Sequence, residues 1–391
     1  MAKRYDFVIV SQQSWDVQIG SNIKNIALEI AKQHRVLFVN RPLDIKTYLK
    51  NDSSEKEYIQ KRRAAKAQVL SLESINKNLT VHTPKVVLLS INGFPDGRIF
   101  DRLNKYNNTL IAKEIKKATV HLEFENQVLI NDGEIINGFY LPELLKPAKS
   151  LYYYRDNFLA VPFWQKHGTR LQPQLFKSYD GVVCNSDYLK DIAKEDNPKS
   201  FFVGQGCDYS VYTSNTSTPE ASGKPIIGYV GALNSFRLDL DLLENLAEQN
   251  PQWKWVFVGP EDKNFINSKL HALGNVNFEG SKRPEELSAY IKNFDVAINP
   301  QKTNEVTIGN YPRKIDEYLY MGKPTVATKT KAMQMFNEHC YLATDVMGYE
   351  LSIKKALKEN SSEKEKARKA FAETHSWENS VNNIYHSIEQ L

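Results

Sequence analysis

Residues 304–328 read NEVTIGNYPRKIDEYLYMGKPTVAT, and this stretch predicts a loop, a short helix and a buried strand in direct succession. Asn310 and Pro312 are typical of a helix start, because proline fits the first turn with its φ angle already set. Gly322 and Pro324 then end the helix, and Pro-Thr-Val-Ala reads as a short buried strand. A helix followed directly by a short buried strand is typical of an α/β fold.

The start of this helix has the chemistry of an anion site. Arg313, Lys314 and Glu317 fall in its first turns, where free backbone N–H groups and the helix dipole favour negative charge. Two neighbouring cations add to that preference. We therefore predict that this helix end binds an anionic ligand.

The same residues carry a family resemblance. The pattern G-N-Y-P-x-K-x-x-E-Y-L-x-x-G-K-P-x-V-A resembles the donor-site motif of retaining, sugar-nucleotide-dependent glycosyltransferases of group 1 type, in the branch that reads Y-P-x-K-x-x-E-Y-L. Most of this family reads E-G-x-P-x-x-x-x-E. Glu317 takes the place of the second glutamate, whereas the first falls on Gly309 and is missing. In the branch with the lysine, that lysine, here Lys314, takes over part of the role.

Length and composition agree with a two-domain, soluble globular protein. The chain has 391 residues, of which 41% are hydrophobic and 25% charged, as in ordinary globular proteins. No apolar run approaches the roughly 20 residues of a membrane span, and none near the start resembles a signal peptide. The three cysteines are scattered without metal-binding spacing, so we expect buried thiols in a reducing, cytoplasmic compartment.

The positive charge lies in the first half of the chain. Residues 1–220 hold 30 Lys and Arg against 24 Asp and Glu, a net charge of +6, whereas residues 221–391 hold 21 against 22, a net charge of −1. Residues 44–68 include Lys61, Arg62, Arg63 and Lys66. They read either as a solvated helix face or as a site of weak contact with an anionic membrane surface, with Tyr58, Ile59, Val69 and Leu70 as its apolar stripe. The second alternative would place the protein peripherally on the inner face of the cytoplasmic membrane.

The first half opens with a β-α-β unit, which implies a parallel sheet. Gly20, just before a helix capped by Ser21, either lets backbone approach a phosphate of the donor or serves only the loop. After the strand SLYYY, Asp156 either accepts a proton from an acceptor hydroxyl or pairs with Arg155. His167 reads as a turn residue.

The second half opens after a linker at 213–224, with a strand that ends in the glycine turn of Gly231. The family often reads V-G-R-L-x-x-x-K here. Arg237 takes the place of that lysine and Ala232 replaces the arginine, so Lys314 or Arg313 is the expected substitute for the missing cation. Asp239-Leu-Asp241 matches a D-x-D metal pattern, but helix capping explains it more simply.

The resemblance implies the α/β GT-B fold, with two Rossmann-like domains whose parallel sheets face each other across a cleft. We place the first domain at 1–212, the second at 225–375, and a terminal helix crossing back to the first domain at 376–391. We assign donor binding to Gly20, Gly231, Asn310, Arg313 and Glu317, and the resemblance implies that Glu317 holds the ribose. Arg237 and Lys314 would stabilise the leaving diphosphate, and Asp156 is the third catalytic candidate.

We expect a nucleotide-diphosphate sugar as donor, a carbohydrate or lipid-linked acceptor, no metal cofactor and no nucleic-acid partner. The reaction would be hexosyl transfer with retention, in cell-surface polysaccharide or glycolipid synthesis. Two alternatives stay open from the sequence. A sugar-nucleotide epimerase shares the fold and the diphosphate clamp, and a non-catalytic partner subunit would explain the missing first glutamate.

Overall fold

Parallel strands alternating with helices build both halves of the chain, as the β-α-β pattern predicts. A computed structural model describes residues 4–17, 20–50, 56–212, 223–305, 307–309 and 311–391. The chain divides into two compact units, Met1–Gly204 together with Ser380–Leu391, and Gln205–Asn379.

The first unit is built on an eight-stranded sheet. The strands of this unit are β1 (Asp6–Ser11), β2 (Arg35–Val39), β3 (Leu43–Asp44), β4 (Leu72–Ser74), β5 (Leu79–His82), β6 (Val87–Leu88), β7 (Gln127–Asp132), β8 (Lys149–Tyr154), β9 (Gly181–Cys184) and β10 (Ser200–Phe202). The sheet runs in the order β10-β9-β8-β7-β1-β2-β5-β4, while β3 and β6 form a separate pair. Only β4 pairs antiparallel with its neighbour.

The central strands of this sheet are buried except at their first residues, and all six residues of β1 are buried, as is typical of parallel sheets covered by helices. The helices of the first unit are α1 (Asn22–Ile30), α2 (Ile45–Leu49), α3 (Lys56–Lys66), α4 (Arg98–His121), α5 (Leu141–Leu145), α6 (Pro162–Ser178) and α7 (Asp187–Lys194).

The second unit is built on a six-stranded, fully parallel sheet in the order β13-β12-β11-β14-β15-β16. Its strands are β11 (Ile226–Val230), β12 (Lys254–Val258), β13 (Val276–Phe278), β14 (Val296–Asn299), β15 (Thr325–Thr328) and β16 (Tyr341–Ala343). Its helices are α8 (Leu240–Gln249), α9 (Lys263–Ile266), α10 (Pro284–Asn293), α11 (Arg313–Tyr320), α12 (Val346–Glu359), α13 (Ser362–Glu373) and the start of α14 (Trp377–Glu389).

The last part of α14 packs within the first unit. Val381, Ile384 and Ile388 are buried. The Tyr385 ring lies 6.0 Å from that of Phe7 at the start of the central strand. Residues 380–391 are therefore part of the core of the first unit, although they follow the whole second unit in sequence.

Residues 205–212, which we had assigned to the first domain, group with the second unit. The Cys207 N–H donates to the carbonyl of His375 at 3.0 Å. The Tyr209 ring stacks on that of Tyr320 at 4.1 Å between centroids. The linker predicted at 213–224 lies outside the described residues except for its last two positions, 223 and 224.

The basic segment at 44–68 is not uniformly exposed to solvent, as a solvated helix face would be. Arg62 is 3% exposed, because its guanidinium pairs with Asp16 at 2.7 Å and also donates to the carbonyl of Arg41. Ile59 is buried as well, so it cannot belong to an exposed apolar stripe, whereas Val69 is 91% exposed. No helix in the described ranges is both long and apolar enough to cross a bilayer.

Two local predictions in the first unit were wrong. His167 lies inside α6 and is buried, with its ring stacked on Phe100 at 3.8 Å, so it is not a turn residue. Ser21 does precede α1 at the N-cap position, but its hydroxyl makes no capping hydrogen bond. By contrast, the hydroxyl of Ser186 accepts from the Leu189 N–H and so caps α7.

Candidate functional site

The sheet of the second unit reverses its strand order next to β11. From β11 the chain crosses over to β12 and β13 on one side, and it then returns to β14, β15 and β16 on the other. In an open parallel sheet, ligands bind beyond the carboxyl ends of the strands at such a reversal. The loops after β11 and β14, at 231–239 and 300–312, therefore mark the candidate site.

The glycine turn after β11 lies directly against Lys314. Gly231 has a φ of 141°, and a methyl group on it would come within 2.8 Å of the Cε and Nζ atoms of Lys314. The ammonium also lies 5.0 Å from the centre of the Tyr229 ring. Within the described residues it forms no ion pair, so its charge is available to an anionic ligand at the turn.

A second glycine keeps this turn compact. The Gly231 N–H donates to the carbonyl of Val258 at 2.8 Å, and the next turn passes immediately beside it. A methyl group on Gly259 would approach the carbonyl oxygen of Gly231 to 2.0 Å, so no side chain fits there. The two turns thus present bare backbone, which can approach a phosphate closely.

Arg237 is positioned by backbone contacts between the two loops of the site. Its carbonyl accepts from the Lys302 N–H at 2.8 Å, and the carbonyl of Phe236 accepts from the Asn304 amide at 2.9 Å. The Arg237 side chain is exposed and has no hydrogen bond or ion pair with any residue that the structure describes. The loops therefore hold a second cation whose guanidinium is not neutralised by the described protein.

Helix α11 begins with Arg313, and Pro312 occupies its N-cap position. The Arg313 Nε lies 3.5 Å from a Glu317 carboxylate oxygen, with side-chain exposures of 44% and 13%. Burial first, and then the negative charge of Glu317, raise the pKa of Tyr212. Glu317 thus lies close to Arg313 on the same helix, and its carboxylate keeps further lone pairs for a ligand.

Two buried contacts fix α11 in place, and sequence reasoning missed both. The Val230 N–H at the end of β11 donates to the hydroxyl of Tyr318 at 2.8 Å. Asp316 is fully buried, and its carboxylate oxygen lies 2.7 Å from the Nδ1 atom of His375. The same Nδ1 atom lies 3.1 Å from the hydroxyl oxygen of Tyr311. Burial raises the pKa of Asp316, and the contact with His375 opposes that rise.

No signal in the sequence pointed to these contacts, because the partners are 88 and 59 residues apart. They nevertheless decide where the donor-side residues lie, since Asp316 stands between Lys314 and Glu317 on the helix. Asn310, which we predicted at the helix start, lies outside the described residues.

The D-x-D pattern of the second unit serves the fold. The Asp239 carboxylate accepts from the Leu242 N–H at 3.1 Å and so caps α8, while Asp241 lies in the first turn. Among the described residues there is no cluster of three His, Cys, Asp or Glu side chains that could hold a metal ion. Metal independence stays a prediction.

The candidate residues of the first unit lie at the carboxyl ends of its strands. Arg155 pairs with Asp156 at 2.6 Å and with the buried Asp132 at 2.7 Å, so the ion-pair alternative for Asp156 is present. The Ser11 hydroxyl completes the network by donating to Asp132 at 2.7 Å. Gly20 lies in an exposed loop before α1, and a methyl group on it would meet no atom within 4 Å, so local packing does not require glycine there.

Most of the second unit is similar to a family of known proteins. Residues 224–359 match the model of the family described as "Glycosyl transferases group 1". A protein of Bacillus subtilis (strain 168) named "Putative teichuronic acid biosynthesis glycosyltransferase TuaH" is 29% identical over 239 residues, which cover 57% of this chain and 60% of that protein. The match thus spans less than two thirds of that relative's length.

Solved structures resemble the whole chain. HepE from Anabaena in complex with UDP has a TM-score of 0.67 at 15% identity, over 99% of this chain and 100% of that one. A structure described as "Trehalose-6-phosphate from E. coli bound with UDP-2-fluoro glucose" has a TM-score of 0.68 at 11% identity, over 99% of both chains. The chain therefore has the GT-B fold predicted from its sequence, and within it residues 224–359 match the group 1 glycosyltransferase model.

Proposed function

We propose that this protein transfers a hexose from a nucleotide-diphosphate sugar to an acceptor hydroxyl in the synthesis of a cell-surface polysaccharide or glycolipid. The observation that carries the proposal is the glycine turn at Gly231, with the ammonium of Lys314 against it, at the strand-order reversal of a group 1 domain. The name of the Bacillus subtilis relative supports the polysaccharide context.

The donor side works by electrostatic stabilisation. As the bond between sugar and phosphate breaks, negative charge grows on the leaving diphosphate. Arg237, Lys314 and Arg313, the Gly231 turn and the N-terminus of α11 would meet that charge in a fixed arrangement. Glu317 would accept hydrogen bonds from the ribose hydroxyls. Gly20 remains a further candidate for contact with the donor.

Donor binding and transfer test this function directly. UDP, GDP, ADP and their sugars are compared by thermal shift, beginning with uridine nucleotides because two of the structural neighbours contain them. A ligand at about 100 times its dissociation constant adds about 2.7 kcal/mol to the stability. Transfer to acceptors in a cell-envelope extract follows, with labelled donor. A new sugar isomer from donor alone would instead indicate the epimerase, and binding without transfer or hydrolysis a non-catalytic subunit.

We propose that no metal takes part, because the cationic side chains of Arg237, Arg313 and Lys314 would themselves neutralise the diphosphate. Transfer should then persist in excess EDTA. Complete loss of transfer, restored by manganese or magnesium, would contradict the proposal. Asp239 and Asp241 would then again be candidate ligands of a metal ion.

Retention of the anomeric configuration rests on the motif resemblance. In a retaining reaction the acceptor hydroxyl attacks from the side of the leaving group, and no protein nucleophile is obligatory. NMR of the product should show the donor's configuration. An inverted product would instead require a general base, and Asp156 is the candidate despite its ion pair with Arg155.

Contact with the inner face of the cytoplasmic membrane is the remaining part of the proposal. Leu49 and Val69 are 73% and 91% exposed, and Arg63 and Lys66 on α3 are exposed cations in the same part of the chain. Such a surface favours anionic lipid. Co-sedimentation should be stronger with vesicles containing anionic phospholipid than with zwitterionic ones, and salt should weaken it. Equal sedimentation with both would contradict this part.

A further inference from the structure

A buried carboxylate lies in the first turn of α11, the helix that carries Lys314 and Glu317. Asp316 is fully buried, and its Oδ2 atom accepts no hydrogen bond from any residue that the structure describes. Its Oδ1 atom lies 2.7 Å from the Nδ1 atom of His375, which is its one ion-pair partner in the described ranges. A buried carboxylate is costly unless an opposite charge compensates it, so the charge balance at this turn depends on His375.

The imidazole of His375 is held in place by its surroundings, and only 14% of the side chain is exposed. The rings of Phe371 and Phe336 lie edge to face at 4.6 and 5.8 Å from it. Its backbone carbonyl accepts from the Cys207 N–H at 3.0 Å. Because these contacts keep the ring against Asp316, the property of this pair that can change readily is its charge.

The other groups around the pair do not supply the missing positive charge. The titratable groups there are Tyr209, Tyr311, Cys207, Cys340 and His339, and the charged ones are Arg313, Glu317 and Arg368. Burial raises the pKa values of the tyrosines and cysteines and lowers the pKa of the histidine, so all five are uncharged near pH 7. Arg313 lies 3.5 Å from Glu317, and Arg368 donates to the carbonyl of Gly322.

The charge of the pair acts on the same helix turn that would meet the diphosphate. When His375 is protonated the pair is neutral, and Lys314 leaves this turn positive. When His375 is neutral, Asp316 remains as a buried negative charge that repels a phosphate. At a separation on the order of 10 Å and an effective dielectric constant of about 20, one unit charge changes the affinity for another by roughly tenfold. Histidine changes its charge between about pH 5 and 8, so the repulsion falls in the physiological range.

We infer that His375 is a positioning residue of the donor site that acts through Asp316: its imidazolium neutralises the buried carboxylate and so keeps α11 able to bind a diphosphate. This role rests on the proposed function, because that function supplies the diphosphate of the donor. Since protonated His375 favours the anion, donor affinity is highest at low pH and falls as the pH rises through the histidine range.

Calorimetric titration of the full chain with UDP-glucose, at about pH 6 and about pH 8.5, tests this role. The diphosphate of this probe carries the same charge at both pH values, so a change in affinity reports on the protein. Its base is that of the nucleotides in two structural neighbours. GDP-glucose and ADP-glucose follow if UDP-glucose does not bind. Wild type should bind the nucleotide sugar roughly tenfold more weakly at the higher pH.

Two substitutions separate charge from packing. Asp316→Asn removes the charge at nearly constant volume, and a buried imidazole without a carboxylate partner favours its neutral form. This variant should match wild type at the lower pH and bind roughly tenfold more tightly than wild type at the higher pH. His375→Gln keeps an N–H donor without the charge, so it should bind weakly at both pH values. The double variant should recover the affinity that His375→Gln loses.

His386→Gln is the matched control, because His386 is an exposed histidine 3.4 Å from a carboxylate oxygen of Glu389. It should follow wild type at both pH values. A purely structural role of the buried pair would give weaker binding in both single variants, no recovery in the double variant and no pH dependence in wild type. That pattern would overturn the role of His375 and leave the proposed function standing. No binding of any of the three nucleotide sugars at either pH would contradict both.

Discussion

Lys314 differs from an ordinary surface lysine because its ammonium lies against a glycine turn and lacks an ion-pair partner in the described chain. Its charge should therefore act on the diphosphate as negative charge grows in the transition state. Lys314→Ala should lower kcat more than it raises the donor's KM, by roughly 10- to 150-fold for one charge-assisted contact. Steady-state kinetics measure this, with Lys355→Ala as the control, since Lys355 is an exposed lysine on α12. A change confined to KM would assign Lys314 to ground-state binding only.

Glu317 should act on the ribose, which changes little during the reaction. Glu317→Ala should weaken binding of the free nucleoside diphosphate, by a factor similar to that expected for Lys314→Ala in kcat. The contact with Arg313 makes a purely structural role the competing explanation; an ion pair between residues four apart on a helix contributes only about 0.3–0.5 kcal/mol. Calorimetric titration of wild type and variant decides between them. Unchanged affinity would remove the ribose assignment.

Single residues also show where sequence reasoning ends. The positions of Arg313, Lys314 and Glu317 follow from local signals, namely a proline, an apolar face and a glycine stop, and the structure places all three at the start of α11. Arg62 looked like one more solvated cation, because its partner Asp16 is 46 residues away. Contacts made between distant parts of the chain leave no periodic trace in a sequence.

At the scale of elements, α11 depends on its attachment to β11. The ladder between β11 and β14 covers Ile227 and Gly228, and farther along β11 the Val230 N–H donates to the hydroxyl of Tyr318. Tyr318→Phe would leave a buried N–H without a partner, which costs about 1–3 kcal/mol. In a unit of this size, each kcal/mol lowers the melting temperature by about 2–4 °C.

Differential scanning calorimetry should detect that shift, and affinity for the donor should fall with it because Lys314 and Glu317 lie on the same helix. Tyr320→Phe is the control, since that ring is stacked on Tyr209 and keeps the stacking without its hydroxyl. An equal shift of the melting temperature in both variants would mean that the hydrogen bond to Val230 contributes no more to stability than the Tyr320 hydroxyl does. The strands and helices of this unit can be predicted from the periodicity of its apolar residues. The hydrogen bond between Val230 and Tyr318 cannot be predicted in this way.

At the scale of the whole molecule, the first unit depends on residues from the far end of the sequence. Ile384 on α14 is 1% exposed, and removing such a side chain costs about 2–5 kcal/mol. Ile384→Ala should therefore lower hydrogen-exchange protection in β1 and α1 and leave β11 and β12 unchanged. Asn383→Ala, at an exposed neighbouring position, is the control. Equal loss of protection in both units would contradict this assignment.

This arrangement also affects how the protein is made. The ribosome must translate the 175 residues of Gln205–Asn379 between the main part of the first unit and the segment that completes it. At about 5–20 residues per second, this takes roughly 9–35 s. During that interval the nascent first unit presents the uncovered surface around Phe7 to the cytosol, and chaperones that bind apolar segments can reach it. The second unit is formed by one continuous segment of the chain, so it can fold while the first unit still lacks residues 380–391.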